Sequence, residues 1–96
     1  MQVVVKYTRI DATNALDSAI GTKFEQFTKL IENKVAPETV LNIEVGRDAG
    51  HSKKGPVYFA EAQIVFGAKS IYTHEVDEDV YVAIDKAATA CKRQYL

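Results

Sequence analysis

The hydrophobic pattern of the chain switches between the period of a strand and that of a helix, and this switching constrains the fold most. Residues 2–7 alternate, with Val3, Val5 and Tyr7 on one side, as in a strand with one buried face. From Thr13, a plausible N-cap, the apolar residues recur at helical spacing and form one stripe: Leu16, Ile20, Phe24, Phe27, Leu30 and Ile31. The first third of the chain is therefore predicted to be a strand followed by an amphipathic helix.

The middle of the chain returns to the strand period. Leu41, Ile43 and Val45 alternate with polar residues, whereas residues 46–56, GRDAGHSKKGP, combine three glycines and a proline without any period. This pattern predicts a second strand and then a loop that forms the tip of a long hairpin. A third strand follows, with these residues on one face: Tyr58, Ala60, Ala62, Ile64 and Phe66. Gly67 and Ala68 are predicted to form a tight turn into a fourth strand, from Lys69 to about Glu75.

The chain closes with a second amphipathic helix, predicted to be capped by Asp77 or Asp79. Its apolar arc consists of Val80, Ile84, Ala87, Ala88, Cys91 and Tyr95. The predicted order is βαβββα, and the first crossover makes strands one and two parallel. We therefore expect an α+β fold in which two helices cover one face of a four-stranded mixed sheet, with residues 1–96 as a single domain.

Composition restricts the function without identifying it. The 96 residues carry 12 basic and 13 acidic side chains, a net charge of -1, so any nucleic-acid partner must be bound by local basic patches. There is no apolar run of transmembrane length and no secretory start, and the lone cysteine, Cys91, cannot form an internal disulfide. These features predict a cytoplasmic protein that does not bind a membrane, and the absence of catalytic and phosphate-binding motifs predicts no cofactor and no small-molecule substrate.

The final helix also carries a recognisable string of residues. The string begins with Glu78, Asp79, Val80 and Tyr81 and includes the segment AID at residues 83–85. The helix ends with Arg93, Gln94 and Tyr95. With the segment ATNAL at residues 12–16, this chain resembles the ribosome hibernation-promoting factors, also called ribosome-associated translation inhibitors or sigma-54 modulation proteins. The resemblance covers essentially the whole chain and corresponds to the short form of the family, without a dimerising domain. Many members have a lysine where Ala90 stands and a basic tail beyond the position of Leu96.

The resemblance implies a fold like that of double-stranded-RNA-binding domains and a non-catalytic stress-response factor. Such a factor would bind the small ribosomal subunit, through its ribosomal RNA, in the mRNA and tRNA path and keep idle ribosomes inactive. Because A-form RNA is read mostly through its backbone and shape, lysine and arginine side chains are the candidate contacts. The predicted RNA-binding residues are Lys23, Lys86, Lys92, Arg93, Lys53, Lys54, Lys6 and Arg9. An acidic run, Glu75 to Asp79, would repel phosphate unless it faces away.

Other interpretations remain open at the level of sequence. The open sheet face is expected to expose Val40, Phe59, Val65 and Tyr72, which would suit a protein-protein module or a weak homodimer. Solvated lysines are ordinary on any helix, and Tyr81 is expected to pack over the sheet edge rather than stack on a base. The sequence lacks the motifs that three further functions require: a metal site at His74, Asp77 and Asp79, nucleophilic catalysis by Cys91 with His51 or His74, and the activity of a small hydrolase.

Overall fold

The structure, a computed structural model, describes residues 1–49 and 55–96. Its elements follow the chain as β1 (Gln2–Thr8), α1 (Asn14–Ile31), β2 (Val40–Arg47), β3 (Tyr58–Phe66), β4 (Lys69–Asp77) and α2 (Val80–Tyr95). The predicted βαβββα order is confirmed, although the fourth strand extends two residues beyond the expected end at Glu75.

The four strands form one sheet in the order β1-β2-β3-β4. β1 and β2 are parallel, as expected for strands joined by a helical crossover, and the other two pairs are antiparallel. The register aligns Val5, Ile43, Ala62 and Thr73 across the sheet. Because side chains alternate between faces, this alignment places the apolar residues of the strands on the side that the helices cover.

The core lies between that face and the two helices. Each helix contributes its predicted stripe, and the sheet contributes the alternate residues of β2, β3 and β4. Phe27, Ile31, Ile84 and Cys91 are fully buried. Leu30, expected in the buried stripe of α1, is instead 38% exposed because it lies toward the edge of the helix beside Lys92. No helix in the described part of the chain is long and apolar enough to cross a membrane.

The helix caps follow the prediction. The Thr13 side chain accepts a hydrogen bond from the Leu16 amide at 3.1 Å, and Asp79 accepts one from the Tyr81 amide at 2.8 Å. Asp77 also accepts a hydrogen bond, from the Asp79 amide at 2.9 Å. Both candidate aspartates therefore stabilise the start of α2, since unpaired amides at a helix N-terminus are satisfied by such acceptors.

The predicted loop begins two residues too early, because Gly46 and Arg47 are part of β2. Gly46 pairs with Thr8 on one side and Phe59 on the other, and it is buried. A Cβ atom at this position would lie 2.2 Å from the Thr8 carbonyl oxygen. Gly46 is thus not a loop signal, because its lack of a side chain is what allows β1 to approach β2 closely here.

The tight turn between β3 and β4 is confirmed. Gly67 adopts a φ of 57°, a left-handed conformation that glycine accepts without steric cost. The two-residue turn at residues 67–68 fixes the pairing of Phe66 with Lys69, and hence the register of the whole hairpin.

A side chain from α2 protects the outer edge of β4. The Gln94 amide donates to the Tyr72 carbonyl oxygen at 2.6 Å and accepts from the Tyr72 amide at 3.2 Å. These are the two bonds that a neighbouring strand would make, so Gln94 blocks strand addition at this point.

We expect Gln94→Ala to lower the free energy of unfolding by about 1 kcal/mol, because two exposed hydrogen bonds are lost. The variant should also self-associate in concentration-dependent sedimentation, since the backbone of Tyr72 becomes available. Gln94→Glu is the matched control, because it retains the acceptor for the Tyr72 amide. Identical behaviour of Gln94→Ala and the wild type in both measurements would contradict this role.

Candidate nucleic-acid interface

α2 presents a polar outer surface because its buried stripe occupies only one side. The buried residues of the helix are Ala83, Ile84, Ala87, Ala88 and Cys91. The side opposite this stripe carries Asp85, Lys86, Thr89 and Arg93, all of which are exposed. A helix anchored along its full length by small buried residues holds its outer charges at fixed separations.

A shallow groove between α1 and α2 brings two of the predicted cations together. The Lys23 ammonium lies 3.5 Å from Asp85 Oδ1, and the Lys92 ammonium donates to Gln26 Oε1 at 2.6 Å. Thr22 and Thr89 also line the groove. An exposed ion pair such as Lys23 with Asp85 contributes at most about 1 kcal/mol, so the lysine can exchange this partner for a phosphate.

Arg93 is a predicted cation without an internal partner. It lines a shallow depression on α2 with Lys86, Thr89 and two carboxylates, Glu75 and Asp85, and it makes no hydrogen bond or ion pair with another described residue. Its five N–H donors therefore remain available, in a planar arrangement that matches a phosphate group.

Lys86 is held more firmly than the sequence indicated. Its ammonium donates to the Val76 carbonyl oxygen at 2.7 Å and lies 3.5 Å from Asp77 Oδ2. The acidic run preceding α2 thus partly neutralises Lys86, which weakens the expectation that it acts as a free RNA contact.

The rest of the acidic run lies away from Arg93. Asp77 and Asp79 cap the N-terminal end of α2, whereas Lys92 and Arg93 lie in its last turn. A 16-residue helix is about 24 Å long, and charges in physiological salt are screened over about 8 Å. Glu75 is the exception, because it borders the Arg93 depression and also accepts a hydrogen bond from Thr73 at 3.2 Å.

The other predicted cations do not join this surface. Lys6 lies on the open face of the sheet, opposite the helices, where its position on β1 is aligned with Glu44 on β2. Arg9 follows β1 in a left-handed conformation, φ 56°, and its Nε donates to the Arg47 carbonyl oxygen at 2.9 Å. Lys53 and Lys54, with the neighbouring His51, lie outside the described residues. The structure therefore brings Lys23, Lys86, Lys92 and Arg93 to the helical layer and separates Lys6 and Arg9 from them.

The open sheet face exposes other apolar side chains than expected, because Phe59 is buried whereas Val4 and Val76 are exposed there. Phe59 was predicted to be exposed, but it is only 6% exposed because its ring packs over Gly46 and stacks on His74, with centroids 5.2 Å apart. Tyr72 is half exposed but donates a hydrogen bond to Glu61 at 2.6 Å, which lowers the pKa of Glu61. Val65 remains the most exposed apolar side chain of this face, at 59%. A row of polar groups thus interrupts the surface that would suit a hydrophobic partner.

Two further expectations concern the ring of Tyr81 and a possible metal site at His74. Tyr81 is 44% exposed, and the packing of its ring over the sheet edge stays a prediction. At His74, Nδ1 lies 3.1 Å from Glu61 Oε1 on the open face, away from the capping aspartates. Among residues 1–49 and 55–96 no group of three or more acidic, histidine or cysteine side chains could hold a metal ion.

Cys91 is buried in the core, and burial raises the pKa of its thiol to about 12. The thiolate, which is the reactive form, is therefore scarce at neutral pH. We expect the native protein at pH 8 to resist alkylation by iodoacetamide, and the protein in denaturant to react with one equivalent. Rapid labelling of the native protein, with its fold shown intact by circular dichroism, would contradict the buried position of Cys91.

Two arrangements of side chains near the interface have no signal in the sequence. Gln26 fixes Lys92 in the groove, and Tyr95 contacts two lysines, Lys34 and Lys69, from other elements. Both arrangements join segments that are far apart in the chain, so periodicity within one segment gives no signal for them.

Solved structures share this arrangement of elements. The N-terminal domain of Protein Y from Thermus thermophilus matches with a TM-score of 0.71 and 20% sequence identity, covering 98% of this chain and 94% of that one. A ribosomal subunit interface protein from Coxiella burnetii matches with a TM-score of 0.70 and 15% identity, covering 98% and 92% of the two chains. At these identities the likeness concerns the fold.

The sequence itself carries the signature of one protein family. A search of curated protein sequences finds no match. The family described as Sigma 54 modulation protein / S30EA ribosomal protein, in contrast, matches residues 3–95. This match agrees with the resemblance seen in the sequence, which covers essentially the whole chain. The chain therefore belongs to the Sigma 54 modulation protein / S30EA ribosomal protein family of non-catalytic, ribosome-associated hibernation factors.

Proposed function

We propose that this protein binds the small ribosomal subunit in the mRNA and tRNA path and so keeps idle ribosomes inactive in the cytoplasm. Residues 1–96 act as one ribosome-binding domain, and the contact is made with the backbone of ribosomal RNA. The observation that carries the proposal is Arg93, an exposed guanidinium without an internal partner among the described residues, beside Lys92 on the same rigid helix.

The chemistry of the helical layer suits an RNA backbone. Lys23, Lys92 and Arg93 project from two packed helices and supply charge at several points, and Gln26, Thr22 and Thr89 add neutral hydrogen-bonding groups between them. A-form RNA presents phosphates and 2′-hydroxyl groups, which need both kinds of partner. No base-specific pocket is required for such a contact.

The predicted cations differ in their expected contributions. Arg93, Lys92 and Lys23 form the centre of the proposed surface, whereas Lys86 contributes less because Asp77 and the Val76 carbonyl hold its ammonium. Lys53 and Lys54, which lie outside the described residues between β2 and β3 in the chain, would add a second contact. Lys6 and Arg9 lie elsewhere on the molecule, so their contact with RNA would require the ribosome to surround the domain.

A second candidate function is a weak homodimer or protein-protein module formed through the open sheet face. Exposed Val65 and Tyr72 support it, and the buried position of Phe59 weakens it. Sedimentation at rising protein concentration distinguishes the two, because hydrophobic association persists in salt that removes a phosphate-binding protein.

The proposal is tested by co-sedimentation of the wild-type protein with purified small and large ribosomal subunits at low salt. We expect it to pellet with the small subunit in a saturable manner and to be released as salt is raised. Failure to pellet with the small subunit at low salt, by a protein with an intact fold, would overturn the proposal. Equal binding to both subunits would show electrostatic attraction without the proposed site.

A further inference from the structure

Three segments that are distant in sequence meet at the ring of Tyr95, in the last turn of α2. The ammonium of Lys34, just beyond α1, lies 5.4 Å from the ring centroid, and that of Lys69, at the start of β4, lies 5.3 Å from it. Phe66 supports the ring at a centroid distance of 6.3 Å. We call Lys34, Lys69 and Tyr95 the Tyr95 clamp.

The clamp concentrates positive charge without neutralising it. Within residues 1–49 and 55–96, neither ammonium makes a salt bridge to a carboxylate. The aromatic ring attracts each ammonium, but it carries no net charge and leaves the two cations to repel each other. An arrangement that holds two like charges around one ring is stabilised by an anion bound near both.

The position of the clamp also favours positive charge. It lies where α1 and α2 both end, and the carbonyl ends of helices attract cations. This attraction explains why lysines are tolerated at the site, yet it leaves their N–H donors exposed to solvent. Lys92, three residues before Tyr95, makes the clamp continuous with the proposed RNA-binding surface.

We propose that the Tyr95 clamp binds a phosphate group of the RNA backbone, as an additional contact at the helix ends. This inference rests on the proposed function and extends its surface beyond the helix face. The ring contact restricts both lysine side chains before binding, which reduces the entropy lost when a phosphate orders them. Each ammonium has three N–H donors and can contact the ring while donating to phosphate oxygens.

The alternative is that the clamp only fastens three elements together. The two roles differ in what they affect. A structural fastening changes stability, whereas a phosphate contact changes both RNA affinity and its dependence on salt, because each neutralised phosphate releases counterions.

The test compares the double variant Lys34→Gln/Lys69→Gln with the wild type in co-sedimentation with small subunits over a salt series. We expect the affinity to fall about tenfold or more, and the slope of log affinity against log salt to flatten by roughly 0.9, for one phosphate that is no longer neutralised. The control is Lys29→Gln/Arg47→Gln, which removes the same charge. Lys29 is already paired with Glu25 at 2.8 Å, and Arg47 lies beside Tyr58, at the end of the sheet opposite Lys69.

Equal effects of the two double variants would overturn the inference, because they would show only the influence of net charge. An unchanged affinity and slope with a lower melting temperature would assign the clamp a purely structural role.

Phosphate binding by the clamp can be tested without the ribosome by NMR titration with a short RNA duplex. Shifts of the Lys34, Lys69 and Tyr95 side-chain resonances that disappear at high salt support the site, and their absence overturns it. If the clamp binds the duplex but the protein fails to bind subunits, the proposed function fails and the phosphate site stands.

Discussion

Replacing Gly46 by alanine is expected to lower the free energy of unfolding by about 3 kcal/mol, a large share of the roughly 5–15 kcal/mol that stabilises a small domain. The added Cβ would lie 2.2 Å from the Thr8 carbonyl oxygen and 2.9 Å from Cε1 of Phe59. The first neighbour is backbone and cannot turn aside, so β1 must move away from β2. Urea denaturation should show a lower midpoint with an unchanged m value.

Gly21→Ala is the matched control for this substitution. Gly21 lies inside α1, and a Cβ there would meet no atom within 4 Å. Because alanine favours the helix over glycine, this variant should gain about 0.5–1 kcal/mol. A Gly46→Ala protein as stable as the wild type would contradict the close approach of β1 to β2 and the packing of Phe59 over the glycine.

The second large effect is expected on ribosome binding. Lys92→Gln/Arg93→Gln should weaken binding to the small subunit by about 100-fold, since charge-assisted hydrogen bonds contribute about 1.5–3 kcal/mol each. Stability should fall by no more than about 1 kcal/mol, mostly through the lost interaction of the cations with the C-terminal end of α2. Co-sedimentation at several salt concentrations measures the first effect, and thermal unfolding measures the second.

Lys86→Gln is the control for that experiment, because it removes a cation from the same helix. Asp77 and the Val76 carbonyl already engage the Lys86 ammonium, so this variant should weaken binding by less than about threefold. If Lys86→Gln weakened binding as much as Arg93→Gln alone, the ranking of cations by their internal partners would be wrong.

The fold could be predicted from the sequence because each element follows a simple period. The stripe from Leu16 to Ile31 and the alternation at Leu41, Ile43 and Val45 reflect burial on one side, which periodicity records directly. The caps at Thr13 and Asp79 were predictable for the same reason, since capping depends on residues adjacent in the chain.

The sequence predictions are wrong at residues whose neighbours in the fold belong to another segment of the chain. Gly46 is a strand residue because β1 and Phe59 occupy the space of its missing side chain, and Phe59 is buried for the reciprocal reason. Neither contact can be predicted from the residues adjacent to Gly46 or Phe59 in the sequence.

The candidate site shows the same limit. Helical spacing placed Lys86, Lys92 and Arg93 on the exposed sides of α2, but it could not show that Asp77 holds Lys86 or that Gln26 holds Lys92. No pattern in the sequence predicts a role for Lys34 and Lys69, because only the folded chain brings them to Tyr95.

A structure of the protein bound to the small ribosomal subunit tests the central claim most directly. We predict that the outer surface of α2 and the groove to α1 face ribosomal RNA in the mRNA path, with Arg93 and Lys92 within hydrogen-bonding distance of backbone phosphates. A complex in which the open sheet face contacts the ribosome while Arg93 and Lys92 remain in solvent would contradict the account.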